Sequence, residues 1–89
     1  MKVHLDITVK GLVQGVGFRY HTLRVAIDLG ICGNVRNHSD RSVQIEAEGE
    51  KEDIDTFVKW CYSGPQNAII NEVIVNPGKV CEYKHFTIL

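Results

Sequence analysis

No apolar run in this chain approaches the roughly 20 residues that a helix needs to cross a bilayer, so no membrane partner is expected. Cys32, Cys61 and Cys81 form no CxxC pair, and no His and Cys share ligand spacing, so no zinc or other metal site is expected. An odd set of cysteines reads as reduced thiols of a cytoplasmic protein, with two packed as small hydrophobes. No charge of one sign dominates either: the net charge is −1 and the pI about 6.4. A nucleic-acid binder would carry a basic face and a pI above about 9, so a large polyanion is a poor partner. Repeats, linkers and low-complexity segments are all missing. The start, Met1-Lys-Val-His-Leu-Asp, alternates polar and apolar residues and is unlike a signal peptide. The 89 residues read as a single domain, 1–89, with one modest core.

The near-neutral total conceals an asymmetry. Residues 1–45 hold six Lys/Arg against three Asp/Glu, and residues 46–89 hold four against eight. The positive half contains Gly11-Leu-Val-Gln-Gly-Val-Gly-Phe-Arg19. Gly15 and Gly17 permit positive φ and close approach by a ligand, so the backbone from Gln14 through Val16 to Phe18 can present several N–H groups. A helix starting there adds its dipole, which favours an anion. Arg19 adds a planar, permanently charged fork that fits phosphate. The pattern describes a cradle for a small anion.

Periodicity supplies the frame. Lys2–Lys10 alternates, with Val3, Leu5, Ile7 and Val9 on one face of a half-buried strand. Phe18–Leu29 reads as a helix with Tyr20, Leu23, Ala26 and Ile27 on its apolar side and Gly30 just past its end. Ile31–Asn37 and Ser42–Glu48 read as a hairpin around His38-Ser39-Asp40-Arg41. A second helix carries Ile54, Phe57, Val58 and Cys61 at i, i+3, i+4, i+7, with Trp60 off that stripe, and stops at Gly64-Pro65. Acids from Glu46 to Asp55 read as solvated surface. Residues 69–75 and 85–89 supply the last strands, joined through a Pro77-Gly78 turn. The order predicts an α+β fold, a ferredoxin-like split βαβ sandwich with an antiparallel four- to five-stranded sheet and two helices on one face.

These residues resemble the acylphosphatase family. Gly11–Arg19 matches its phosphate-loop signature, and Gly33-Asn-Val-Arg-Asn37 matches its second signature. Ser42–Gly49, Gly64-Pro65 with Ala68, and Phe86-Thr-Ile follow in the family's order, so the resemblance spans nearly the whole chain. Two positions depart from it: Asn34 stands where an aromatic residue is usual, and Arg41 where glycine usually follows the turn aspartate. Arg41 must then adopt the geometry glycine would serve, with some strain.

The resemblance implies hydrolysis of the carboxyl–phosphate bond of acyl phosphates to carboxylate and inorganic phosphate. By position, Arg19 would bind the phosphoryl oxygens, the backbone of Gln14, Gly15, Val16, Gly17 and Phe18 would cradle them, and Asn37 would hold the attacking water. The partners implied are a small acyl phosphate and inorganic phosphate as product or inhibitor. The chain would act as a monomer with no cofactor. The chemistry agrees, because a carboxylate leaves without a proton and needs no general acid. His21 and His38, which flank the site residues, read as surface side chains. Three other functions compete: an anion sensor, a phosphate-recognition module like the N-terminal domain of larger carbamoyl-phosphate-processing proteins, and an RNA-binding module. The sensor would not need Asn37. The larger protein would be expected to continue into zinc-type cysteine pairs. The RNA binder would want exposed aromatics on its strands, and Lys2–Lys10 has none.

Overall fold

Ile7 and Val9, alternate residues of the first strand, lie buried beneath two helices, and the rest of the molecule is arranged around that contact. The computed structural model describes residues 1–89. The elements are β1 (Lys2–Leu12), α1 (Phe18–Leu29), β2 (Cys32–Asn37), β3 (Val43–Glu50), α2 (Lys51–Ser63), β4 (Ile69–Gly78) and β5 (Phe86–Ile88). One five-stranded sheet has the order β4-β1-β3-β2-β5. Ile7 pairs with Ile45 on β3 and Val75 on β4, so its neighbours share its face. Val35, Val43 and Ala47 extend that face, and Phe18, Ala26, Ile54, Phe57 and Cys61 close it from the helices. Fully burying each large apolar side chain contributes about 1.5–3 kcal/mol. Half-buried Trp60 packs on Phe18 with ring centroids 5.4 Å apart. The three cysteines are free thiols, and only Cys61 is buried, which pushes its pKa up to about 12.

Four details differ from the sequence reading, each for a physical reason. The sheet is mixed, because β5 runs parallel to β2, with Gly33 opposite Phe86. The chain leaves β4 at one edge and returns along the other edge in the reverse direction. Beside β2 that direction is parallel. Pro77 and Gly78 end β4 instead of forming a separate turn, opposite Leu5 and His4. β4 is an edge strand, where a proline without an N–H is tolerated. On α1 the buried residues are Phe18, Thr22 and Ala26, while Tyr20 and Ile27 are exposed. At about 100° per residue those two lie across the helix from the buried row. Finally, His4 and Glu48 are buried on the sheet face away from the helices, although alternation marks them as solvent-facing. Residues 79–85 cross over them on the way from β4 to β5, and the N–H groups of Cys81 and Tyr83 both donate to the Glu48 carboxylate.

The topology positions the site. β1 and β2 both pair antiparallel with β3, so they run the same way, and β5 runs with β2. All three strands finish at one end of the sheet. There the 13–17 loop leaves β1, Asn37 ends β2, and Ile88 ends β5.

Candidate active site

The loop between β1 and α1 is shaped by two glycines in the left-handed region, Gly15 at φ 77° and Gly17 at φ 77°. A Cβ at Gly15 would meet nothing within 4 Å, so glycine serves conformation there and not space. Gly17 caps α1 without any side-chain cap. His21 steadies this cap: its Nδ1 lies 2.8 Å from the Gly17 carbonyl, the same oxygen that accepts the His21 N–H at 3.1 Å. His21 and His38 are both exposed, as expected.

The N–H groups of Gln14, Gly15, Val16, Gly17 and Phe18 donate to no acceptor within the protein. Most backbone donors in a folded chain have partners, so five successive free ones point to a ligand. They lie at the N-terminus of α1, whose dipole favours negative charge. Arg19 is half-buried, and its Nη1 donates to the Leu89 carbonyl at 3.2 Å, which turns the guanidinium toward the end of β5. No Asp or Glu side chain pairs with Arg19, so its other guanidinium N–H groups are open to an anion.

Asn37 stands at the end of β2 and pairs with Val43 through its backbone. Its side-chain amide is exposed, with no partner in the protein. The turn that follows is held by Asp40, whose Oδ1 accepts from the Ser42 N–H at 2.9 Å and the Ser42 hydroxyl at 2.5 Å. The Ser42 hydroxyl, its N–H and His38 hold the Asp40 pKa down at about 2. Arg41 takes φ 73°, the strained geometry expected where glycine is missing.

A cleft of about 210 Å³ lies between these parts, lined by Val13, Gly15, Gly17, Phe18, Arg19, Tyr20, Asn37 and Ile88. Drug-sized ligand sites run ~300–1,000 Å³, so this one is scaled to a small ligand. The cleft therefore brings Gly15, Gly17, Phe18, Arg19 and Asn37 together. Gln14 and Val16 belong to the same loop but do not line the cleft. Tyr20 and Ile88 line it without having been singled out in the sequence. Tyr20 looks like part of an apolar helix stripe, and Ile88 approaches only because β5 returns beside β2. None of the eight lining residues offers a carboxylate, imidazole or thiol to a metal.

A family model described as Acylphosphatase matches residues 5–88. An acylphosphatase of Geobacter sulfurreducens is 47% identical over 75 residues, covering 84% of this chain and 82% of that relative. The structure of an acylphosphatase from Coxiella burnetii superposes with a TM-score of 0.96 at 32% identity, covering 99% of this chain and 93% of that one. Full-length HypF, solved in a phosphate- and nucleotide-bound form, matches at 36% identity and a TM-score of 0.94. That match covers 100% of this chain and 12% of HypF.

Proposed function

The chain belongs to the acylphosphatase family and hydrolyses the carboxyl–phosphate bond of acyl phosphates, and from this premise we propose which groups do the work. The free N–H groups of Gln14–Phe18 and the Arg19 guanidinium clamp the phosphoryl oxygens. Asn37 holds the attacking water. The observation that carries this reading is the run of free N–H groups in the loop beside a cleft that Gly15, Gly17, Phe18, Arg19 and Asn37 line, with the Asn37 amide unpartnered.

The chemistry asks for nothing more. Water oxygen forms a bond to phosphorus as the bond from phosphorus to the acyl oxygen breaks. The electron pair leaves with a carboxylate whose pKa is about 4–5, so no acid is needed to protonate it. The transition state is loose and spreads charge over the phosphoryl oxygens, where fixed N–H donors and a guanidinium stabilise it. An amide is no base at neutral pH, so Asn37 accepts a hydrogen bond from the water through Oδ1 and orients it. The water's proton passes to a phosphoryl oxygen. No metal or other cofactor enters this scheme, because Arg19 supplies the positive charge. The product, inorganic phosphate, would compete for the same cradle. We take the active form to be a monomer. The free cysteines fit a cytoplasmic setting.

The test compares wild type and Asn37→Ala, both dialysed against a chelator, on benzoyl phosphate and on a phosphate monoester. Wild type should cleave only the acyl phosphate, at a rate untouched by the chelator. Asn37→Ala should lose about 10² in kcat while keeping its affinity for inorganic phosphate. A chelator-sensitive rate that added metal restores, or full turnover in the alanine variant, would overturn the assignment.

A further inference from the structure

Gln14 enters the sequence pattern only through its backbone. Its side chain has a separate task. Nε2 donates to the His38 carbonyl at 2.8 Å and to the Ser42 carbonyl at 2.9 Å, which uses both hydrogens of the amide nitrogen. These two carbonyls also close the β2–β3 turn. The His38 N–H donates to the Ser42 oxygen at 2.9 Å, and the Arg41 N–H donates to the His38 oxygen at 3.0 Å. Asn37 immediately precedes that turn.

The sheet alone does not connect the two halves of the site. β1 pairs with β3 only as far as Val9 opposite Val43. Beyond it a bulge at Lys10/Gly11 carries β1 on with β4 alone. Gly11 allows that departure, since a Cβ there would sit 2.1 Å from the Ile69 oxygen. A gap lined by Gly11, Leu12, Val13, Gln14 and Arg41 opens on the side that β3 leaves. The phosphate loop and the Asn37 turn face each other across it. The Gln14 side chain spans it, and it ties down a turn that already holds Arg41 at positive φ.

We propose that Gln14 is a positioning residue for hydrolysis: its side-chain amide sets the Asn37 turn at a fixed place relative to the phosphate cradle. The proposal rests on the reading of Asn37 as the holder of the attacking water. A water displaced by about 1 Å from the line of the breaking bond costs on the order of 10² in rate, so a single tie of this kind can govern turnover. The backbone N–H groups that receive the phosphate do not depend on it.

The experiment is a double-mutant cycle on the full chain with Gln14→Met, which keeps length and apolar volume but removes both donors, and Asn37→Ala. Gln14→Ala serves as a second truncation, and unfolding midpoints are recorded for all variants. On benzoyl phosphate, Gln14→Met should lower kcat about tenfold or more, with KM and phosphate inhibition within about twofold of wild type. In the Asn37→Ala background the same change should leave kcat alone, because the residue it positions is gone. Three results would overturn the proposal: an equal loss of kcat in both backgrounds, a kcat near wild type for both Gln14 variants, or a loss of phosphate affinity in step with kcat. Full turnover in Asn37→Ala by itself would remove the premise and the proposal together. Failure at Gln14 with a normal Asn37 defect would leave the premise standing.

Discussion

At the end of the sheet where β1, β2 and β5 finish, five successive N–H groups and the Asn37 amide have nothing to bind within the protein, and Arg19 holds only the Leu89 oxygen; at the other end, every polar atom of the buried pair is taken. There His4 lies between two carboxylates, with Nδ1 2.7 Å from Glu48 and Nε2 2.9 Å from Asp6. An ionised carboxylate only accepts, so both ring nitrogens can donate to such partners only when the ring is protonated. Glu48 also takes the N–H groups of Cys81 and Tyr83, and the Tyr83 hydroxyl reaches Glu46 at 2.8 Å. That hydrogen bond to Glu46, together with desolvation, pushes the Tyr83 pKa up to about 12. The two ends are roughly 25 Å apart at ~3.4 Å per strand residue. They hold comparable numbers of charged and polar groups. What separates a site from a structural clasp is whether those groups are already satisfied.

The comparison breaks most directly at Arg19. Arg19→Lys keeps the charge but loses the planar fork, and should lower kcat/KM by about 10³ and weaken phosphate inhibition, with the unfolding midpoint unmoved. Steady-state kinetics on benzoyl phosphate would show it. Near-normal kinetics would mean that the guanidinium is not the clamp.

The clasp should fail in the opposite manner. Glu48→Ala leaves His4 Nδ1 and two N–H groups without their partner in a buried place. Removing one partner of such a pair costs about 3 kcal/mol or more, readable by denaturant unfolding. The remaining folded enzyme should keep kcat within about twofold, because the sites are far apart. A collapse of kcat in still-folded protein would join the two ends functionally.

Titration sharpens the contrast with a smaller effect. Burial pushes the His4 pKa down, but hydrogen bonds to Glu48 and Asp6 outweigh it and leave the value raised above 6.5. Burial pushes Glu48 up, yet the Cys81 N–H, the His4 ring and the Tyr83 N–H outweigh it and hold the value below 4.5. The His4 contribution is fully present below pH 6.5 and is lost as pH rises through its raised folded value. The Glu48 contribution is present above pH 4.5 and is lost as pH falls through its lowered value. Stability from the clasp should therefore be greatest between those limits. A melting-temperature profile should fall on the alkaline side in wild type, and His4→Gln should flatten that limb. An identical limb in both proteins would contradict the assignment.

The smallest effect belongs to the turn beside the site. Arg41→Gly relieves a non-glycine residue at φ 73° and should stabilise the fold by about 1 kcal/mol, with kcat nearly unchanged. Denaturant midpoints measure it, and a destabilised glycine variant would show that the turn carries no strain.

The cradle end was legible in the sequence because its information is local. Gly15, Gly17 and Arg19 sit within one turn of chain, and the alternation of Val3 to Val9 and the stripe of Ile54, Phe57 and Cys61 place them on a known frame. The clasp was not legible, since its burial depends on residues 79–85 crossing a face that alternation assigns to solvent. Period two reports which residues share a face. It does not report what later covers that face. Tyr20 and Ile27 misled for a related reason: apolar side chains on the outer side of α1 mimic a buried row. The Gln14 tie was hidden because both of its acceptors are backbone carbonyls, which leave no trace in side-chain identity.

The central claim is that the free N–H groups of Gln14–Phe18 receive the phosphoryl group. A titration of ¹⁵N-labelled protein with inorganic phosphate, followed by amide shifts, tests it without relying on turnover. The account predicts saturable shifts concentrated at Gln14, Gly15, Val16, Gly17 and Phe18 and at the Arg19 side chain, with Cys81 and Tyr83 silent. Shifts centred on any other segment, or a loop that does not respond at phosphate concentrations that inhibit the enzyme, would contradict it.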